Sequence, residues 1–228
     1  LVHFLLARCL FVLFGLSITY ALDYSHKNDK EPTVDNAAIL KEFKDAEAIL
    51  NGHFVLSSGL HSDTYMQCAR VLMDATRGER LCAALAKKVQ AAGLGRIDIC
   101  VAPAMGGVVV GYELARQLGV QGIFCERQDG TFTIRRGFSF PQGARVLMVE
   151  DVVTTGKSSL EAMECVRERG GEIVGEACFV NRCVEGNPLP VPLLSLLELE
   201  INTWFADALP PHLQHIPAEK PGSRWLKA

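Results

Sequence analysis

VLMVEDVVTTGKSS, residues 146–159, is the stretch on which the fold turns. Arg145 to Val149 is short, apolar and preceded by Gly143, which is the pattern of a buried strand in a parallel sheet. Glu150 and Asp151 then fall at its carboxyl end, where open α/β sheets bind their ligands. Thr154, Thr155, Gly156, Lys157 and Ser158 follow as a turn rich in hydroxyls, and a helix from Ser158 to Arg169 starts from it. The start of a helix attracts anions, because its unpaired N–H groups and the macrodipole both favour negative charge. The two carboxylates would repel such an anion, so they suit ribose hydroxyls or a cationic centre beside it.

Gly156-Lys157-Ser158 imitates the end of a nucleotide-triphosphate P-loop. That motif needs a further glycine five residues before Gly156, and Asp151 stands there. A Walker A reading is therefore rejected.

Outward from this stretch, apolar residues at helical spacing predict a helix from Asn36 to Leu50 and another from Arg77 to Ala92. His53 to Cys68 alternates as short strands do. Strand and helix then alternate as Ile97 to Val101, Val108 to Leu118, Gly122 to Cys125, Val146 to Val149, Ser158 to Arg169 and Ile173 to Val180. Leu193 to Leu199 is a candidate edge strand. Alternation with short connections predicts an α/β domain, a parallel sheet covered by helices on both faces.

Three further segments carry candidate chemistry. Ala102 to Gly107 places small residues between a strand and a helix, where a backbone can come close to a ligand, although two glycines equally suit tight helix packing. Arg127 to Arg136 holds three arginines and a glycine between two strand-like runs, and reads as a mobile hairpin that shields the site from water. Arg182 follows the strand Ile173 to Val180, and a guanidinium there suits a carboxylate ligand.

Composition bounds the remaining classes. With 228 residues, 49% hydrophobic and 21% charged, the chain can bury one substantial core. A net charge of -3 offers no basic footprint, so no nucleic-acid partner is expected. The eight cysteines include no CxxC pair. Cys82, Cys100, Cys125, Cys165 and Cys178 fall within apolar patterns, as small buried hydrophobes do in a reducing compartment. Residues 1–22 are almost wholly apolar, and a polar linker runs on to residue 35. A signal peptide, a membrane anchor and an artefact of upstream translation all fit them, with artefact or anchor favoured over export; membrane contact is expected only if this leader is real. The working division is residues 1–35 as leader and linker and 36–228 as the catalytic domain, with a cytoplasmic location.

EDVVTTGKS, residues 150–158, resembles the ribose-phosphate signature of the type I phosphoribosyltransferases, which use phosphoribosyl pyrophosphate (PRPP). GHFVLSSGLHSDTYMQCA (52–69), VAPAMGGVVVGYELA (101–115), FCERQDGTFTIRRGF (124–138) and VNRC (180–183) are similar, in order and spacing, to orotate phosphoribosyltransferases. The likeness covers about residues 37–228.

This resemblance implies a central parallel sheet flanked by helices, with a small hood from the N- and C-terminal segments. It implies transfer of phosphoribose from PRPP to orotate in pyrimidine biosynthesis, with Mg²⁺ carried on PRPP rather than by protein ligands. PRPP would lie on Arg127, Glu150, Asp151, Val152, Val153, Thr154, Thr155, Gly156, Lys157 and Ser158. Met105 and Gly106 would form the pyrophosphate loop, Thr154 and Arg182 would bind orotate, and Arg127 and Asp151 would be catalytic. Ser57 and Tyr65 would touch ligand from the hood, and the proline-rich stretch from Ala208 to Ala228 would cover the base. The arginine hairpin implies a homodimer, since in the family it reaches the neighbouring subunit's site. Two departures stand out. Gly106 occupies a place where relatives often have lysine or arginine, and Thr131 stands where the family usually has its catalytic lysine, with Thr133 at the usual histidine or threonine place. Arg135 and Arg136 are candidates to compensate. A PRPP-sensing regulator without turnover and a purine phosphoribosyltransferase are the rival readings.

Overall fold

In the computed structural model, residues 36–56, 58–183 and 186–220 are described. The apolar leader, Ser57 and the last eight residues of the C-terminal stretch lie outside them.

Helix α1 (Asn36–Asp45) buries Ile39 and Phe43 and stops five residues before the predicted Leu50. Glu47 takes a φ of 48°, which ends helical geometry. The apolar residues beyond it go instead into strand β1 (Ile49–Val55), where Ile49 pairs with Met66 and Leu50 with Tyr65 of β2 (His61–Met66). A short apolar run fits both periods, and the antiparallel partner decides it. Helix α2 (Cys68–Leu72) is too short for periodicity to reveal. Helix α3 (Ala75–Ala91) begins where the Asp74 carboxylate accepts the Arg77 N–H at 3.1 Å.

From there strand and helix alternate as predicted: β3 (Ile99–Pro103), α4 (Gly106–Leu118), β4 (Gln121–Gln128), β5 (Thr131–Thr133), β6 (Arg145–Val153), α5 (Lys157–Glu168), β7 (Glu172–Asn181) and β8 (Leu193–Glu198). The sheet order is β5-β4-β3-β6-β7-β8, parallel throughout except for β5, which folds back on β4. β8 is the edge strand expected near Leu193. The chain moves outward one way from β3 through α4 to β4, then the other way from β6 through α5 to β7. Right-handed crossovers in opposite directions place α4 and α5 on opposite faces. Two cores result. Leu147 and Val149 pack with α1, α3 and α4, while Val146 and Met148 pack with Met163 and Val166 of α5.

The point where direction reverses, between β3 and β6, is where open α/β sheets form their ligand crevice. Its rim is reached from the side by the hood. Val55 donates its N–H to the Glu219 carbonyl, and His61 and Trp204 exchange both backbone hydrogen bonds, so the β1–β2 pair is stitched to the C-terminal stretch. All five cysteines expected inside are buried and free. No helix among the described residues is long and apolar enough to cross a membrane.

Candidate active site

Strand β6 runs through Val153, so Glu150 and Asp151 lie inside the sheet rather than beyond it. The partner strand is long enough to continue the ladder, pairing Glu150 with Cys178 and Val153 with Asn181. The two carboxyl groups stay together against the start of α4: a Cβ on Gly107 would stand 3.1 Å from Glu150 Oε2 and one on Gly106 2.7 Å from the Asp151 oxygens. Glu150 is buried at 8% exposure, whereas Asp151 remains partly open.

Both carboxyls are pushed up by burial, Glu150 most strongly and with a further contribution from Asp151 beside it. Two adjacent acids in a dry site cannot both ionise cheaply, and Glu150 is the one pushed further toward its protonated form. The Asp151 carboxylate is oriented by the Val152 N–H at 2.8 Å.

Beside both carboxyl groups lies the start of α4. Its N-cap, Met105, follows a cis Ala104–Met105 peptide, and Gly106 is already the first helical residue, two places before the predicted start. A Cβ on Gly106 would stand 2.7 Å from both Asp151 carboxylate oxygens, and one on Gly107 would stand 2.7 Å from the Val149 carbonyl. Of the two roles weighed from the sequence, these contacts are those of tight packing. What the glycines pack against is the carboxylate of the site.

The turn after β6 is open. Thr154, Thr155 and Lys157 are exposed, and Gly156 caps α5 in a left-handed conformation (φ 71°) with no side-chain hydrogen bond. Within the first turn of α5 the Lys157 N–H is given to Thr155 Oγ1 at 3.4 Å, and the helix start as a whole still favours an anion. Gly156 is also pressed against Leu189 and Pro188, where a Cβ would come within 2.8 Å and 3.0 Å. Ser158 is half-buried beside it.

Arg182 stands just past β7, its backbone N–H donating to the Val153 carbonyl at 2.8 Å. Its Nε is buried and has no hydrogen-bond partner among the described residues. Burial lowers its pKa. Tyr65, on the hood, is pushed up by burial and by Asp151, with Arg182 pulling the other way, so the three share one field. Cys183 donates its thiol to the Thr154 carbonyl at 2.8 Å and thereby ties the Arg182 segment to the turn.

Arg127 is differently engaged. Its guanidinium pairs with Glu161 of α5, donates to the Gly130 carbonyl at 2.6 Å and lies 4.1 Å over the Phe132 ring. The hairpin it belongs to is also less free than a mobile loop. Phe132 and Ile134 are buried in the core beneath it, so only the tip is loose. That tip, Asp129-Gly130, has positive φ at both residues, a two-residue turn whose Asp-Gly signature was readable in the sequence. Thr131 is exposed, and Arg136 pairs with Glu126 at 2.9 Å.

A phosphoribosyl transferase domain model matches residues 72–214. The chain is 56% identical over 191 residues to the orotate phosphoribosyltransferase of Sphingopyxis alaskensis, covering 83% of this chain and 97% of that one. It is 52% identical over 186 residues to that of Erythrobacter litoralis, with 82% and 96% covered. It belongs to the orotate phosphoribosyltransferase family. Among solved structures, that family's member from Aeropyrum pernix superposes with a TM-score of 0.56 at 28% identity, over 70% of this chain and 93% of that chain. The type I phosphoribosyltransferase fold is thus common to all three comparisons.

Sequence reasoning missed one buried residue close to this site. Glu176, in the middle of β7, is completely buried, and Ser159 of α5 donates to it at 2.6 Å. A lone glutamate in an otherwise apolar run, IVGEACFV, was the available signal.

Proposed function

We propose that this chain transfers the 5-phosphoribosyl group of PRPP to orotate, giving orotidine 5′-monophosphate and pyrophosphate for pyrimidine nucleotide synthesis. The observation that carries this reading is the unpartnered, buried Nε of Arg182, on a residue whose backbone N–H bonds the Val153 carbonyl just before the Thr154–Ser158 turn. A guanidinium there offers paired N–H donors to the orotate carboxylate, which a purine base lacks.

The 5′-phosphate of PRPP rests on the Thr154–Ser158 turn. Val152 and Val153 align the backbone leading into it. The ribose hydroxyls face Glu150 and Asp151, and pyrophosphate lies over Met105 and Gly106 at the start of α4. Orotate's ring nitrogen attacks the anomeric carbon as pyrophosphate leaves, and positive charge grows on the ribose. The Asp151 carboxylate stabilises that charge at close range, while Glu150, pushed further toward its protonated form, hydrogen-bonds beside it. Arg127 meets the leaving group once it exchanges Glu161 for pyrophosphate.

Mg²⁺ suits this arrangement. The ion commonly keeps water and substrate phosphate oxygens as its ligands, and PRPP offers such oxygens. When bound with PRPP it would offset pyrophosphate charge. We further propose a homodimer, supported by the exposed Met105, Val109 and Tyr112 along one face of α4, and a cytoplasmic catalytic unit beginning near Asn36.

A second reading, a PRPP-binding regulator, is favoured by Thr131 and by the engagement of Arg127 with Glu161. One assay separates the two. With PRPP and Mg²⁺, orotate absorbance falls for the catalyst, and PRPP binding without nucleotide formation overturns it. Arg182→Ala is expected to raise the KM for orotate roughly 10-fold or more, as loss of a charge-assisted pair does, with PRPP binding little changed. Equal weakening of both substrates removes the assignment of Arg182.

A further inference from the structure

The first turn of α5 is held from two sides. Leu189 and Pro188 press on Gly156 from outside. From inside, Ser159 Oγ donates a 2.6 Å hydrogen bond to Glu176 Oε1. Ser159 is itself 2% exposed and Glu176 is fully buried. The second carboxyl oxygen, Oε2, has no partner among the described residues. A polar group of this kind in a strand interior costs stability unless it is compensated, and one hydrogen bond compensates only part. The α5 N-terminus is the element that gains from the bond, because the hydroxyl that makes it sits three residues after the cap.

We propose that Ser159 and Glu176 are positioning residues for the phosphate turn: their buried hydrogen bond sets where the first-turn N–H groups of α5 stand, and so governs affinity for PRPP without taking part in bond breaking. The proposal rests on the assignment of Thr154–Ser158 to the PRPP phosphate.

A pH signature distinguishes this from a packing role. Burial pushes the Glu176 carboxyl up to about 7. Below that value it is neutral. Above it, a negative charge appears beneath a helix terminus that must hold phosphate, and the like charges oppose each other. The other groups that feel this charge are Glu150 on β6, Cys178 on the same strand and Cys183 just after it. From α5 only the uncharged Ser159 bonds to it. None of these supplies a cation. PRPP affinity should therefore fall as pH rises through neutrality.

Steady-state kinetics and PRPP-binding calorimetry on the full chain between pH 6 and 8.5 test this. Ser159→Ala, a change too small to unfold the core, is expected to raise KM for PRPP about 5-fold, the effect of one lost buried hydrogen bond, with kcat and orotate KM within about 2-fold. Glu176→Gln keeps the acceptor and removes the charge, so it should match the parent at pH 6. At pH 8.5 it should bind PRPP more tightly than the parent, and this difference cancels the pH dependence that the substrate phosphate itself brings. Ser158→Ala serves as the arm for the underlying assignment. If Ser158→Ala leaves PRPP binding untouched, the phosphate turn is elsewhere. If it weakens PRPP while Ser159→Ala does not, or if Glu176→Gln follows the parent at every pH, the positioning role is overturned.

Discussion

A methyl group at position 106 has nowhere to go. Both Asp151 oxygens would lie 2.7 Å from it, well inside contact distance. This gives a physical reason for the glycine that replaces the lysine or arginine common in relatives. Asp151 has taken the space, so a pyrophosphate bound as we propose meets backbone at the start of α4. Gly106→Ala is expected to swing the Asp151 carboxylate away from the Val152 N–H that orients it at 2.8 Å. A misplaced charge of this kind commonly costs 10-fold or more in rate, so kcat should drop about 10-fold with the melting temperature nearly constant. A kcat near that of the parent would show that Asp151 is not held where we place it.

At the level of elements, the β4–β5 hairpin is the part whose state matters most. Its tip is short, its return strand is anchored by Phe132, and Arg127 is taken up by Glu161 of α5. Both partners of that pair are 37% exposed, so it is a surface ion pair worth about 0–1 kcal/mol. Glu161→Gln weakens it and releases Arg127. KM for PRPP should fall about 2-fold to 4-fold, because binding no longer competes with the pair, and a raised KM would mean that Glu161 guides Arg127 instead. Legibility from sequence also divides by element. β6, β7 and α5 could be read because their apolar periods are long and their turn residues are distinctive. The end of α1 could not, since Ala46 to Leu50 fits either period and only Met66 and Tyr65, distant in sequence, settle it. The extension of β6 through Glu150 and Asp151 was hidden for the same reason. Polar residues inside a strand look like its end until the partner strand is known. In the site, the motif residues were legible one by one, while the contact of Gly106 with Asp151 and the burial of Glu176 depend on how two helices meet opposite faces.

For the whole molecule, Glu176 makes stability depend on pH in an uncommon direction. Its carboxyl rises from 4.5 to about 7 on folding. Between those values the folded chain binds more protons than the unfolded one, so stability falls as pH rises across that window and is level above it. The loss amounts to about 3 kcal/mol at most. Glu176→Gln should leave the melting temperature almost unchanged near pH 4.5 and raise it by roughly 5 °C or more at pH 8, measured by calorimetry. A uniform shift at both pH values would mean that packing, not ionisation, is responsible.

The hood has a temporal meaning. His53 donates its Nδ1–H to the Ile216 carbonyl, 163 residues later in the chain, and Glu219 pairs beside it. Because synthesis proceeds from the N-terminus and domains fold as their parts emerge, the sheet can form while the crevice is still uncovered. The cover arrives with a segment that leaves the ribosome after every strand of the sheet. A nascent chain stalled before Trp204 would therefore carry a finished phosphate turn beneath an open roof.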